Sequence, residues 1–191
     1  MAADRLLTSR DPASFDWSGQ LAEQLSWHWE TQLRPRLDGL TDLEYFWEPV
    51  PGAWNVRPEG DRFTIDWAVP PPDPAPVTTI AWRLGHLIVG VFGERNARYF
   101  GGPPIDYGHY AWDGTAAAAL EALDAGYATW IAGVRALSTE ELLANCREDG
   151  FDTESMAALV LHIHREVLHH GAEVALLRDL HLHGGGKPLR R

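Results

Sequence analysis

The sequence predicts an all-α protein, a four-helix bundle with a long proline-rich crossover between helices one and two. Two observations carry that expectation. Four segments place apolar residues at three- and four-residue steps, the period of a helix face. Helix-starting and helix-stopping residues stand at the ends of those segments, and no convincing sheet pattern competes with them. With 191 residues, 45% of them hydrophobic, the chain can bury a core of its own, and residues 1–191 are expected to form a single domain.

Helix one is expected from Phe15 to about Leu37. Trp17, Leu21, Leu25, His28 and Gln32 recur on one face, and Pro35 helps to end it. The segment from Asp42 to Val77 holds most of the prolines, including Pro70, Pro71 and Pro72, and so cannot be a regular helix. It reads as a long crossover with a short hairpin around Phe63 to Trp67. Such a long connection is more often functional or interface-forming than idle. Helix two is expected from Thr78 to about Phe100. It is apolar almost all round, which marks a buried helix, and Gly101-Gly102-Pro103-Pro104 stops it. Helix three starts at Asp113-Gly114-Thr115 and runs to about Leu137, with Leu120, Leu123, Tyr127, Trp130 and Val134 at helical spacing. Ser138-Thr139-Glu140-Glu141 resembles a capped short turn, and a final helix runs from about Thr153 to Leu182.

Charge narrows the partners. Lys and Arg total 16 against 27 Asp and Glu, and a net charge of -11 repels phosphate backbones and anionic lipid surfaces. Nucleic acid and membranes are therefore not expected partners. The opening Met1 to Ser9 lacks the apolar core of a secretory signal, and no apolar run reaches membrane-spanning length. A lone cysteine, Cys146, excludes an internal disulfide and fits a reducing compartment, so a cytoplasmic location is expected.

Six of the nine histidines fall between His162 and His183, and the search for chemistry starts there. Glu166 and His170 stand four apart and share a helical face. That face lies inside or at the edge of the apolar stripe of Met156, Val160, Ile163, Val167, Val174 and Leu177. A carboxylate aimed at a core is costly unless it is paired or binds a metal. Two readings fit: a metal pair, or a Glu and His satisfied by each other or by an arginine such as Arg83. His162, His169 and Glu173 lie further round the wheel as supporting or surface groups, and His164 is expected in solvent. A third ligand must come from another helix, and His86 is the single histidine of helix two. Gly90 and Gly93 follow on its face, leaving room for a close helix or a ligand. Taken alone, His86 is more often a hydrogen-bonded core histidine. His28 could approach the same centre, although Trp27 and Trp29 beside it suit packing equally well. Two histidines and a carboxylate would leave coordination positions open, as catalytic sites do.

A histidine early in helix two, an acid four residues before a final-helix histidine, and His169-His170-Gly171 resemble the DinB-like superfamily of metal-binding bundles. That group includes bacterial metal-dependent thiol transferases and the mycothiol-dependent maleylpyruvate isomerase. Trp27-His28-Trp29-Glu30, Trp47-Glu48-Pro49-Val50-Pro51-Gly52 and the run from Ile163 to Glu173 are similar to one bacterial subgroup. The resemblance implies that His86, Glu166 and His170 ligate one divalent metal, zinc or nickel. Glu166 stands where most members have histidine, similar to the His-Glu-His set of the isomerase. Two departures stand out: no counterpart of the isomerase's separate C-terminal domain is expected in residues 1–191, and Ala172-Glu173 replaces a frequent Gly-Gln.

The leading functional expectation is an enzyme acting on a small-molecule substrate, in which the metal activates a low-molecular-weight thiol such as mycothiol for transfer or isomerisation. Cys146 is a poor candidate for that nucleophile, because it precedes the last helix. The alternatives are metal-assisted hydrolysis, with Glu173 as general base, and a non-catalytic stress-response protein holding a metal or an apolar molecule. A homodimer is expected from the long crossover and its Trp and Pro residues.

Overall fold

The computed structural model describes residues 15–184 and residue 187, and it is mostly helical with one two-stranded sheet. Helix α1 begins at Trp17–His28, where Asp16 accepts a hydrogen bond from the Gly19 N–H at 2.8 Å. It continues through a π-helical turn, Trp29–Leu33, into Arg34–Arg36. Pro35 lies in that last turn, and the helix ends one residue beyond it, as expected of a residue that cannot donate to the ladder.

The crossover departs from expectation in two details. One helical turn, α2 (Asp42–Tyr45), forms at its start, because Thr41 and Glu44 make a reciprocal capping box. The hairpin lies earlier than expected, with β1 (Val56–Glu59) antiparallel to β2 (Arg62–Ile65) and Val56 opposite Ile65. The turn falls at Gly60, whose φ of +65° suits a tight two-residue connection. The far end of the crossover is tied back where the Trp54 N–H donates to Val77 O at 2.8 Å and the Thr79 N–H to Trp54 O at 2.9 Å.

Helix α3 follows as Ile80–His86, a π-helical stretch Leu87–Gly93, and Glu94–Tyr99. Thr79 caps it by accepting from the Trp82 N–H at 3.2 Å. Residues from Leu87 to Phe92 are all buried, so this helix is covered on more than one side. Helix α4 (Ala116–Ala136) is capped by Thr115, and α5 (Thr139–Leu143) by a Ser138–Glu141 capping box. Helix α6 is the longest, Met156–Gly184.

Both α1 and α3 pack against α4 and α6. One continuous core results, in which Leu25, Leu84, Phe92, Leu123, Trp130, Ile163 and Val167 are among the buried side chains. Gly171 permits the approach of α6 to α1, because a Cβ there would press on the Leu33 side chain at 2.8 Å. Among the described residues no helix is long and apolar enough to cross a membrane.

Candidate metal centre

Where α3 meets α6, His86 lies beside His170, the two rings 4.8 Å apart and nearly perpendicular. Arg83, one turn earlier on α3, meets Glu173, one turn later on α6. The two helices therefore run in opposite senses along this contact.

His86, Glu166 and His170 converge, with one ligating atom of each within 4.8 Å of the others. His170 Nε2 stands 3.3 Å from Glu166 Oε2. Ligands about 2.0–2.2 Å from a tetrahedral zinc-like ion are separated by roughly 3.3–3.6 Å. The donor set and its spacing thus fit a divalent cation after a small inward shift of His86.

The outer nitrogens support that fit. His170 Nδ1 lies 2.7 Å from Glu173 Oε2. A carboxylate can only accept, so the ring carries a proton on Nδ1, and Nε2 is the nitrogen turned toward Glu166. His86 Nδ1 lies 2.6 Å from the Tyr107 hydroxyl, and with Nδ1 protonated toward that oxygen its Nε2 is free too. Metal-binding histidines are commonly oriented through their second nitrogen in this way. Burial above all, with neighbouring His170 and arginines, lowers the His86 pKa to about 4 against the opposing pull of Glu166. At neutral pH the imidazole is uncharged, the form that ligates.

Arg83 stands close, its Nε 3.0 Å from Glu173 Oε2 and its Nη1 3.3 Å from His170 Nδ1. The Nε–H has no aligned acceptor, so the contact with Glu173 is a charge pair rather than a directed hydrogen bond. Burial lowers the guanidinium pKa, though from so high a starting value the group stays charged. Glu173 therefore does two things at once, holding the His170 ring and offsetting Arg83. Two carboxylates against one guanidinium leave this pocket attractive to a cation.

The remaining histidines separate clearly. His162 Nδ1 is 3.6 Å from Glu166 Oε1, a supporting position. His169 is 61% exposed with Nε2 3.4 Å from Glu173 Oε1. The grouping His169, His170 and Glu173 could also hold an ion, but it would have to take the Nδ1 that Glu173 already engages. His28 is not part of either cluster, and burial lowers its pKa. His164, expected in solvent, is instead buried beside Trp130, with Nε2 lacking a hydrogen-bond partner. The reason is that α6 is flanked by both α1 and α3, which widens its covered arc beyond the single apolar stripe.

Two features escaped sequence reasoning. Tyr107 fills the space that Gly90 leaves beside His86, since a Cβ at Gly90 would strike the Tyr107 hydroxyl. The missing volume was legible, but the loop residue that occupies it was not. The π-helical stretch that begins directly after His86 was the other, and such widened turns recur at functional sites.

Beyond the cluster a half-open cavity of about 330 Å³ lies between α6, the segment that precedes it and Arg95 of α3, lined by Cys146, Glu148, Leu159, His162 and Arg165, among others. His162 joins it to the cluster around Glu166. Cys146 is buried, in the segment preceding α6.

No curated protein and no solved structure is significantly similar to the chain. A family model does match, spanning residues 24–174. That span holds the π-turn of α1, all of α3 with His86, and α6 through Glu173, so the elements that build the cluster are those the family shares, and the chain belongs to the DinB superfamily.

Proposed function

We propose that His86, Glu166 and His170 hold one divalent metal ion, zinc or nickel, in the centre of a single-domain four-helix bundle, and that the protein is a metal-dependent enzyme using a low-molecular-weight thiol such as mycothiol for transfer or isomerisation. The observation that carries this reading is the pairing of both imidazole Nδ1 atoms with groups outside the cluster, Tyr107 and Glu173, while both Nε2 atoms are left for the centre. A bound divalent ion supplies positive charge that lowers the pKa of a thiol or water and polarises an electrophile.

The chain's own residues supply the rest. Glu166 contributes the negative charge of the centre, and Glu173 fixes the His170 tautomer and ring plane. Arg83 lies one turn from His86 and could orient an anionic group of a substrate, its charge shared with Glu173. The adjoining cavity offers room for the organic part of a thiol or electrophile, with Leu159 as apolar wall and Arg95, His162 and Arg165 as polar ones. Hydrolysis is the second reading. The proposed general base, Glu173, is engaged with both His170 and Arg83, which favours thiol chemistry over it. A cytoplasmic location remains part of this proposal, on the ground of the lone thiol.

The experiment is turnover of thiol and electrophile pairs by purified, metal-loaded protein. Conjugate formation that is lost with the metal and in His86→Ala supports the enzymatic reading. Metal binding without turnover of any thiol pair would favour the non-catalytic alternative.

A further inference from the structure

One wall of the cavity beside the metal centre is irregular chain. Cys146, Glu148, Phe151 and Glu154 line it from the connection between α5 and α6. An isolated bridge between Asn145 and Ser155 closes the neck of that connection, and just inside it the Cys146 N–H donates to Glu154 O at 2.9 Å. The loop is therefore anchored at its base. What ties its outer part to the body sets how wide the cavity stands.

Those ties converge on one carboxylate. Glu148 Oε2 pairs with Arg95 Nη2 at 3.0 Å. Glu148 Oε1 faces the Tyr99 hydroxyl at 2.8 Å, with Arg98 Nη1 further off at 3.9 Å. The carbonyls of Cys146 and Arg147 lie against Tyr99 and Arg98 as well. Among the described residues, every hydrogen bond and ion pair from residues 145–154 to the rest of the chain outside the neck ends on this last stretch of α3. Glu148 is only 14% exposed, and charge-assisted contacts shielded from water hold better than surface ion pairs. Against them stands a local cost, because Arg147 has a φ of +59°, in the left-handed region that side chains disfavour.

We propose that residues 145–154 form a gate to the cavity and that Glu148 is its latch, seated on Arg95 and Tyr99 when the gate is shut and released when it opens. Opening carries the exposed Phe151 away from the α6 wall of Leu159 and His162, and widens the route that His162 marks toward Glu166. Loops of this kind open locally at far lower free energy than the whole fold, and they commonly set the rates of substrate entry and product release. The inference rests on the reading of the cavity as the seat of the organic substrate, and it supplies that seat with a means of entry.

Cys146 reports the motion, because it lies within the gate, is 1% exposed and is the chain's single thiol. The measurement is its rate of modification by a neutral maleimide in the full chain, without metal or substrate. Wild type should react slowly, at a rate that rises little with urea below the unfolding transition, as a local opening does. Glu148→Gln keeps the side chain's size, removes its charge and should speed labelling by on the order of tenfold or more. Tyr99→Phe should speed it by roughly three- to tenfold. These positions are preferred to Arg95, which also donates to the Gly90 carbonyl and pairs with Glu94. Glu154→Gln, at a cavity-lining carboxylate of the same loop, should leave the rate unchanged.

Urea unfolding of each variant supplies its global stability. Wild-type labelling rates in both Glu148→Gln and Tyr99→Phe overturn the proposal. So does an acceleration that Glu154→Gln matches, or one no larger than the loss of global stability accounts for. Because the labelling needs neither metal nor substrate, its failure would leave the metal chemistry standing, and absence of thiol turnover would leave the gate standing.

Discussion

Glu166 stands one turn from both His162 and His170 on the same face of α6, and substitutions there distinguish a ligand from a neighbour. Under the proposed coordination, Glu166→His keeps a donor at the right place and should retain metal, since imidazole serves zinc-like ions as well as carboxylate does. Glu166→Leu should weaken binding by on the order of 100-fold or more, while leaving the fold intact or slightly stabilised, because an apolar group replaces a partly buried charge. His162→Ala should cost about tenfold at most, through lost support of the carboxylate. Titration with a chromophoric chelator ranks the three. An inverted order, with His162→Ala abolishing binding and Glu166→Leu tolerated, would move the site one turn earlier on α6. The pairing of Glu166 with His170 was legible in the sequence because four-residue spacing on a helix fixes proximity. The partners that decide their protonation were less so: Glu173 was recognised as supporting, but Tyr107 comes from a loop whose path no periodicity encodes.

The elements around the site act through shape as much as through charge. Gly90 lies in the widened turn of α3 that follows His86, and its missing side chain admits the Tyr107 hydroxyl. Gly90→Ala should raise local helix propensity by up to about 1 kcal/mol, yet its Cβ must push Tyr107 away from His86. The expected outcome is a fold with an unchanged or slightly altered melting temperature and a metal affinity about 10–100-fold weaker. Tyr107→Phe, which removes the hydroxyl alone, should lose a similar amount, and affinity equal to wild type in both variants would deny Tyr107 any orienting role. Two helix starts were readable, since Thr115 and Ser138 cap where their chemistry suggests, whereas α3, expected from Thr78, is capped by Thr79. The π-helical stretches were not, because side-chain periodicity over so few residues hardly distinguishes them from α-helix. The hairpin was anticipated but set too late along the chain. Its first strand, Val56–Glu59, contains Pro58 and only one buried residue, so it carries no alternating pattern to detect.

At the scale of the whole molecule, the periodic apolar faces foretold a core shared by all four long helices, and burial now adds a prediction about acid. His164 is enclosed with its pKa lowered to about 4 by desolvation. Between the ordinary histidine pKa of about 6.5 and that value, the unfolded chain takes up a proton that the folded chain refuses. Stability is therefore fully present above that window and falls as pH drops through it, by about 3 kcal/mol for this one group. His164→Leu should flatten that part of the pH profile, as read from urea unfolding at pH 7 and pH 5. Equal pH dependence in variant and wild type would mean that His164 is protonated in the fold. The helical wheel could not foresee this burial, because it records one helix at a time and not how many neighbours surround it. The central claim, that His86 and His170 with Glu166 hold a metal, is tested most directly by elemental analysis of protein purified under identical conditions. The account predicts about one divalent ion per chain in the wild type and near-complete loss in folded His86→Ala and His170→Ala. Wild-type metal content in both variants would contradict it.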